Sequence, residues 1–152
     1  MASEGRGGRP RSEQARQAVL HAADDLLVEV GYAAMTLKGL AERAGVGRQT
    51  IYRWWATKAE VLLEACREDF AQELVLPSTG EPVRLLTAYL RELGRFLTES
   101  PAGLAYRALL GEAQQDADVR ELVSRDDPVL AGAGAVLDRV SAVWPAVPER
   151  RL

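Results

Sequence analysis

Apolar residues recur at helical spacing along nearly the whole chain, and glycine or proline stops each run; that periodicity points to an all-α fold. Val19, Ala22, Ala23, Leu26, Leu27 and Val30 form one stripe, with Gly31 standing where a C-terminal cap belongs. Thr36 precedes a short stripe of Leu37, Leu40, Ala41 and Ala44, which Gly45 stops. A third helix is predicted over about residues 47–55. Thr57 and Glu60 then make a Thr-x-x-Glu capping box that opens a fourth, carrying Val61, Leu62, Ala65 and Phe70.

Beyond these four helices, "LPSTGEP" (76–82) reads as a linker, with Pro82 suited to the first turn of a long helix. The apolar face of that helix includes Leu86, Tyr89, Leu90, Leu93 and Leu97. "SPAG" (100–103) breaks it, and further helices are expected over 104–113, 117–124 and, after "RDDP", 129–143. No stretch alternates with a strand's period over a useful length. Residues 1–11, rich in Gly, Arg, Pro and Ser, are expected to form a disordered basic arm. The organisation predicted is that arm, a three-helix head over 12–57, a connecting helix over 58–75 and a helical C-terminal part over 82–152.

Charge separates the two ends. The net charge of −3 is uneven: residues 1–58 hold nine Lys or Arg against six Asp or Glu, whereas residues 59–152 hold ten against sixteen. A basic front on an acidic body suits a protein that presents one end to a polyanion. The detail lies in "GVGRQTIYRWWATK" (45–58), where no acid occurs between Glu42 and Glu60 while Arg43, Arg48, Arg53 and Lys58 recur every five residues. One cysteine, Cys66, excludes a disulfide framework and fits a reducing cytoplasm. No apolar run reaches the length of a membrane span, and "MASEGRGGRP" lacks the apolar core of a signal peptide. A cytoplasmic protein with no membrane association is expected.

Two short helices joined by a tight, Gly-containing turn suggest a helix-turn-helix. Ala41 is small where the second helix approaches the first, Gly45 supplies backbone freedom, and Val46 plugs the turn. Ile51 and Trp55, at i and i+4, anchor the second helix and leave Arg48, Gln49, Thr50 and Arg53 pointing away. In the major groove of double-stranded DNA, Arg bonds guanine, Gln bonds adenine, and the Thr methyl touches thymine.

On these residues the chain resembles a known family. "TLKGLAERAGVGRQTIYRWWATKAEVL" (36–63) and its lead-in "RQAVLHAADDLLVEVGYAAMT" (16–36) are similar to the DNA-binding domain of the tetracycline-repressor (TetR) family. The likeness is specific over roughly residues 12–65, where Tyr52, Trp55 and Lys58 keep the family's spacing. It implies that Tyr52, Lys58 and Thr36 grip phosphates, with Lys38 among the DNA-contacting set. It implies further that Trp55 is buried and that Trp54 faces the DNA backbone. Gly47 stands where the family often has a Ser cap. "GGRPRS" resembles half of a minor-groove arm, which would place Arg9 and Arg11 in a narrow A·T-rich groove.

The C-terminal part resembles the family's ligand-binding and dimerisation part only in being helical. The resemblance implies a small apolar effector, with Tyr89, Phe96, Leu97, Tyr106, Leu109 and Leu110 as pocket-lining candidates; for any one of them, a plain hydrophobic core is the commoner role. It also implies a homodimer. Yet family members finish with two long helices, and after Ser124 this chain offers one Gly-interrupted helix and a Pro-broken tail. The part therefore reads as shortened or altered, which argues against a full two-fold interface. A reduced one would use Val129, Leu130, Val136, Leu137, Val140 and Trp144.

Other chemistries find little purchase. His21 is the only histidine and has no Cys or acidic partners at ligand spacing, so neither a metal nor a cofactor is expected. Cys66 reads as a small core residue, and Gly132-x-Gly134 lacks the third glycine and the strand of a phosphate loop. No catalytic constellation stands out, and an enzyme is not expected. The readings are a sequence-specific transcription regulator, in the first instance a repressor relieved by an effector, and alternatively a helical interaction module that keeps the head without regulating on its own.

Overall fold

The computed structural model describes residues 8–74, 76 and 81–143, which form eight α-helices and, among the described residues, no strand. They are α1 (Gly8–Ala34), α2 (Leu37–Ala44), α3 (Arg48–Trp54), α4 (Lys58–Glu73), α5 (Pro82–Glu99), α6 (Pro101–Glu112), α7 (Ala117–Asp126) and α8 (Pro128–Val143).

Each boundary has a local chemical cause. Gly31, at φ 75°, interrupts α1 where a cap was expected, and a single further turn runs on to Ala34. α1 itself begins at Gly8, so the backbone at Arg9 and Arg11 is helical, contrary to the expected arm. The side chains of those two arginines, like residues 1–7, 77–80 and Trp144, lie outside the described residues. The hydroxyls of Thr36 and Thr57 accept from the amides of Gly39 and Glu60, at 3.0 and 3.2 Å. Glu60 answers by accepting from the amide of Ala56 at 2.7 Å. α6 opens at Pro101, earlier than expected, because Ser100 both ends α5 and caps the next helix, with Pro101 at its first position.

α4 is the hub, packing against α1, α5, α6, α7 and α8. Val61, Leu62, Ala65 and Cys66 are buried along it, and Phe70 meets Phe96 of α5 edge to face at 5.0 Å. α6 approaches α5 most closely at Gly103, where an added Cβ would fall 1.8 Å from the carbonyl oxygen of Phe96. Among the described residues, no helix is long and apolar enough to cross a membrane, and no group of three His, Cys, Asp or Glu is placed to hold a metal.

Candidate nucleic-acid interface and effector cavity

The turn between α2 and α3 has the geometry its sequence demands. Gly45 adopts φ 67°, and its N–H reaches the carbonyls of Ala41 and Glu42. The N–H of Val46 donates to Ala41 at 3.0 Å. Gly47 precedes α3 and brings no side chain to its first amides. Ile51 is fully buried, while Trp55 is nearly so and donates its indole N–H to Glu64 at 2.6 Å. Glu64 also accepts from Nε of Arg16 at 2.6 Å, and Arg16 reaches Glu68 at 2.5 Å. Burial works against the Arg16 cation, but its bonds to Glu68 and Glu64 outweigh that and hold it charged more firmly than usual. α1, α4 and the end of α3 are thereby joined through one carboxylate.

With Ile51 and Trp55 facing inward, Arg48, Gln49, Tyr52 and Arg53 are exposed and Thr50 is half-buried. Thr36 and Lys38 are exposed at the start of α2. Lys38 and Arg48 converge on Glu42, at 3.8 and 3.4 Å, so one acid gathers a cation from the start of α2 and one from the start of α3. Such exposed pairs contribute only about 0–1 kcal/mol, and a phosphate readily replaces the carboxylate. Arg43 is turned away, pairing with Glu29 and Asp25 of α1, so the five-residue recurrence of cations does not lie on one surface. Trp54 is half-buried, edge-on to Trp55 at 5.5 Å, with the Arg53 guanidinium 5.7 Å from its ring.

Lys58 has a role that spacing could not show. Its ammonium donates to the carbonyl of Tyr32 at 2.6 Å and to that of Ala33 at 3.4 Å, and lies 4.2 Å from the Tyr32 ring. It closes the C-terminal end of α1, where unpaired carbonyls favour a cation. Burial, with help from Glu112 and Asp116, pushes the Tyr32 phenol up to about 12. Sequence reasoning missed Arg16, Glu42 and Glu64, all of which act across helices.

None of the six expected pocket residues lines the larger apolar cavity described below. Tyr89, Phe96, Tyr106 and Leu109 are core residues, Leu97 is half-buried against the core, and Leu110 is exposed. The hydroxyl of Tyr89 donates to the carbonyl of Val129 at 3.2 Å, and that of Tyr106 to Asp127 at 3.0 Å. A cavity of about 530 Å³ lies instead between α4 and α8, walled by Phe70, Ala71, Leu74, Ala131, Gly132 and Val136. Its volume is within the ordinary range for small-ligand sites, roughly 300–1,000 Å³. α8 carries small residues along this wall, and at Gly132 it packs so closely on α4 that an added Cβ would fall 2.6 Å from the Phe70 ring. The expected dimer residues also divide. Val136 and Val140 are buried within the chain and Val129 is half-buried, which leaves Leu130 and Leu137 exposed, seven residues apart on one face of α8.

Two short helices joined at a glycine turn and packed on a helical body make this a helix-turn-helix protein. The chain belongs to the TetR family: the model of the bacterial regulatory proteins of the tetR family matches residues 19–65. The fold is similar to the crystal structure of the TetR family transcription regulator SCO0332, with a TM-score of 0.68 and 30% identity over 88% of this chain and 76% of that one. The sequence is 40% identical over 114 residues to the uncharacterized HTH-type transcriptional regulator YdeS of Bacillus subtilis, covering 75% of this chain and 57% of that protein. It is 30% identical over 101 residues to the HTH-type transcriptional regulator AqdR of Rhodococcus erythropolis, 66% of this chain and 48% of that protein. The chain thus spans about half the length of these curated relatives.

Proposed function

We propose that this chain is a cytoplasmic, sequence-specific DNA-binding regulator of transcription, a repressor whose hold on its operator is loosened by a small effector, and not an enzyme. The observation that carries the reading is the exposed row on α3. Arg48, Gln49, Tyr52 and Arg53, with Thr50 beside them, face outward from a seven-residue helix whose inner side is fixed by buried Ile51 and Trp55. These residue types match the donors and acceptors of base edges in the major groove. Thr36, Lys38, Trp54 and Lys58 flank the row and are assigned to the phosphates.

We assign the head to residues 12–57, the connection built on α4 to 58–75, and the regulatory part to 82–152. The functional unit is a homodimer, for which Leu130 and Leu137 are the exposed apolar residues of α8. The cavity between α4 and α8 is the effector site in this reading, because α4 touches both the head and the cavity wall. An interaction module without regulatory activity gains nothing from the relatives, which are named as transcriptional regulators.

Selection of bound fragments from a random DNA pool tests the reading. The expected winners share one palindromic site with half-sites one helical turn apart or a multiple of it. A bound pool that stays random in sequence would overturn it.

A further inference from the structure

The rim of the α4–α8 cavity carries more positive than negative charge, and one of its acids is already committed. Arg67, Arg125 and Arg139 line it together with Asp126 and Asp127. Asp127 accepts from the amides of Val129 and Leu130, at 2.9 and 3.0 Å, and from the Tyr106 hydroxyl. Its oxygens serve the start of α8 and the core, and are not offered to a ligand. Asp126 is paired with Arg67 at 3.1 Å, both side chains about half exposed. The interior behind them is apolar: Phe70, Leu74, Ala131, Gly132 and Val136 bring no polar side-chain group.

An open apolar groove edged by an exchangeable arginine–carboxylate pair is shaped for a molecule with an apolar body and one anionic end. A neutral ligand leaves the pair as it is and gains only from burial. A cationic one meets three guanidiniums against two carboxylates, one paired with Arg67 and the other bound by two amides and a hydroxyl. An organic anion presents to Arg67 the same planar, two-oxygen acceptor that Asp126 presents now. We infer that the effector is an amphipathic organic anion whose headgroup takes Arg67 over from Asp126 while its tail fills the space between α4 and α8. The inference rests on the reading of this cavity as the effector site, but not on the DNA sequence recognised.

Three probes with one tail separate the headgroup from the tail: decanoate, decan-1-ol and decyltrimethylammonium, each titrated into the full chain well below its micelle concentration and followed calorimetrically. The expected order is decanoate at least tenfold tighter than decanol, with the ammonium weakest. Arg67→Gln should abolish the preference for decanoate and leave decanol unchanged. Asp126→Asn should act oppositely, because it frees Arg67 from its partner, and tighten decanoate several-fold with no effect on decanol. Ala135→Phe, which fills the cavity from α8, should weaken every probe.

Decanol or the ammonium binding as tightly as decanoate would overturn the inference while leaving the effector site in place. A decanoate preference that survived Arg67→Gln would overturn the assignment to Arg67. If no probe bound and Ala135→Phe changed the oligomeric mass, the cavity would be covered by a second copy and the inference would fail. DNA selection would then still stand or fall on its own result.

Discussion

Asp24, on α1, has an oxygen that is buried without a hydrogen-bond partner. Burial first, then the charge of Asp69, opposed by His21 and reinforced by smaller pushes from Asp25 and Glu73, raise its carboxyl to about 7. An unfolded carboxyl titrates near 4. Between about pH 4 and pH 7 the folded chain therefore keeps a proton that the unfolded chain has lost, and stability falls as pH rises through that window. Asp24→Asn removes this titration. The melting temperature of the variant relative to the natural chain should climb from pH 4 to pH 7 and then level off; a difference that stays constant across the range would refute the assignment. At the DNA face the side chains predict different defects. Gln49→Ala should relax preference at one or two base positions, whereas Lys58→Ala should weaken binding alike on all sequences and flatten the log–log salt dependence by roughly 0.9. Lys58→Ala should also lower the melting temperature, since the carbonyls of Tyr32 and Ala33 lose the ammonium and Tyr32 keeps only the Met35 amide. A Lys58→Ala variant with altered sequence preference and undiminished affinity would contradict this assignment.

Among the helices, closeness of approach decides what a glycine does. Gly103→Ala would press a methyl group into the Phe96 carbonyl, forcing α6 off α5, and a loss of about 3 kcal/mol or more is expected in urea unfolding. Gly94 lies within α5 with nothing inside 4 Å of an added Cβ, so Gly94→Ala should stabilise by roughly 0.5–1 kcal/mol. Equal effects of the two substitutions would show that packing is not the cause. The same contrast marks what the sequence could reveal. The stop at Gly45, the start at Pro82, caps at Thr36 and Thr57, and the inward pair Ile51 and Trp55 are local signals, and each lies where the local pattern put it. The cavity was not legible. Aromatic residues of α5 and α6 attracted attention as ligand partners, yet Tyr89 and Tyr106 spend their hydroxyls on α8 and the residue before it. Gly132, which looked like a weak point in a helix, is where α8 packs hard against the Phe70 ring, a contact across sixty residues of chain. Glu64 was invisible for a similar reason, since its partners come from two other helices.

For the molecule as a whole, the proposed homodimer places its test on α8. Leu130→Glu with Leu137→Glu should convert a dimer to a monomer in light scattering and sharply weaken binding to a two-half-site DNA, while a single half-site is bound as before. Unchanged mass in the double variant would place the interface elsewhere. Within one chain, Glu64 holds the indole of Trp55 and the guanidinium of Arg16 together. That shared pin makes the reading end and α4 one lever. α4 has sixteen residues, a length of about 24 Å, so a tilt of roughly 5° at its far end would sweep the other by some 2 Å. Shifts too slight to register beside Phe70 would thus arrive magnified at the edge that meets the double helix.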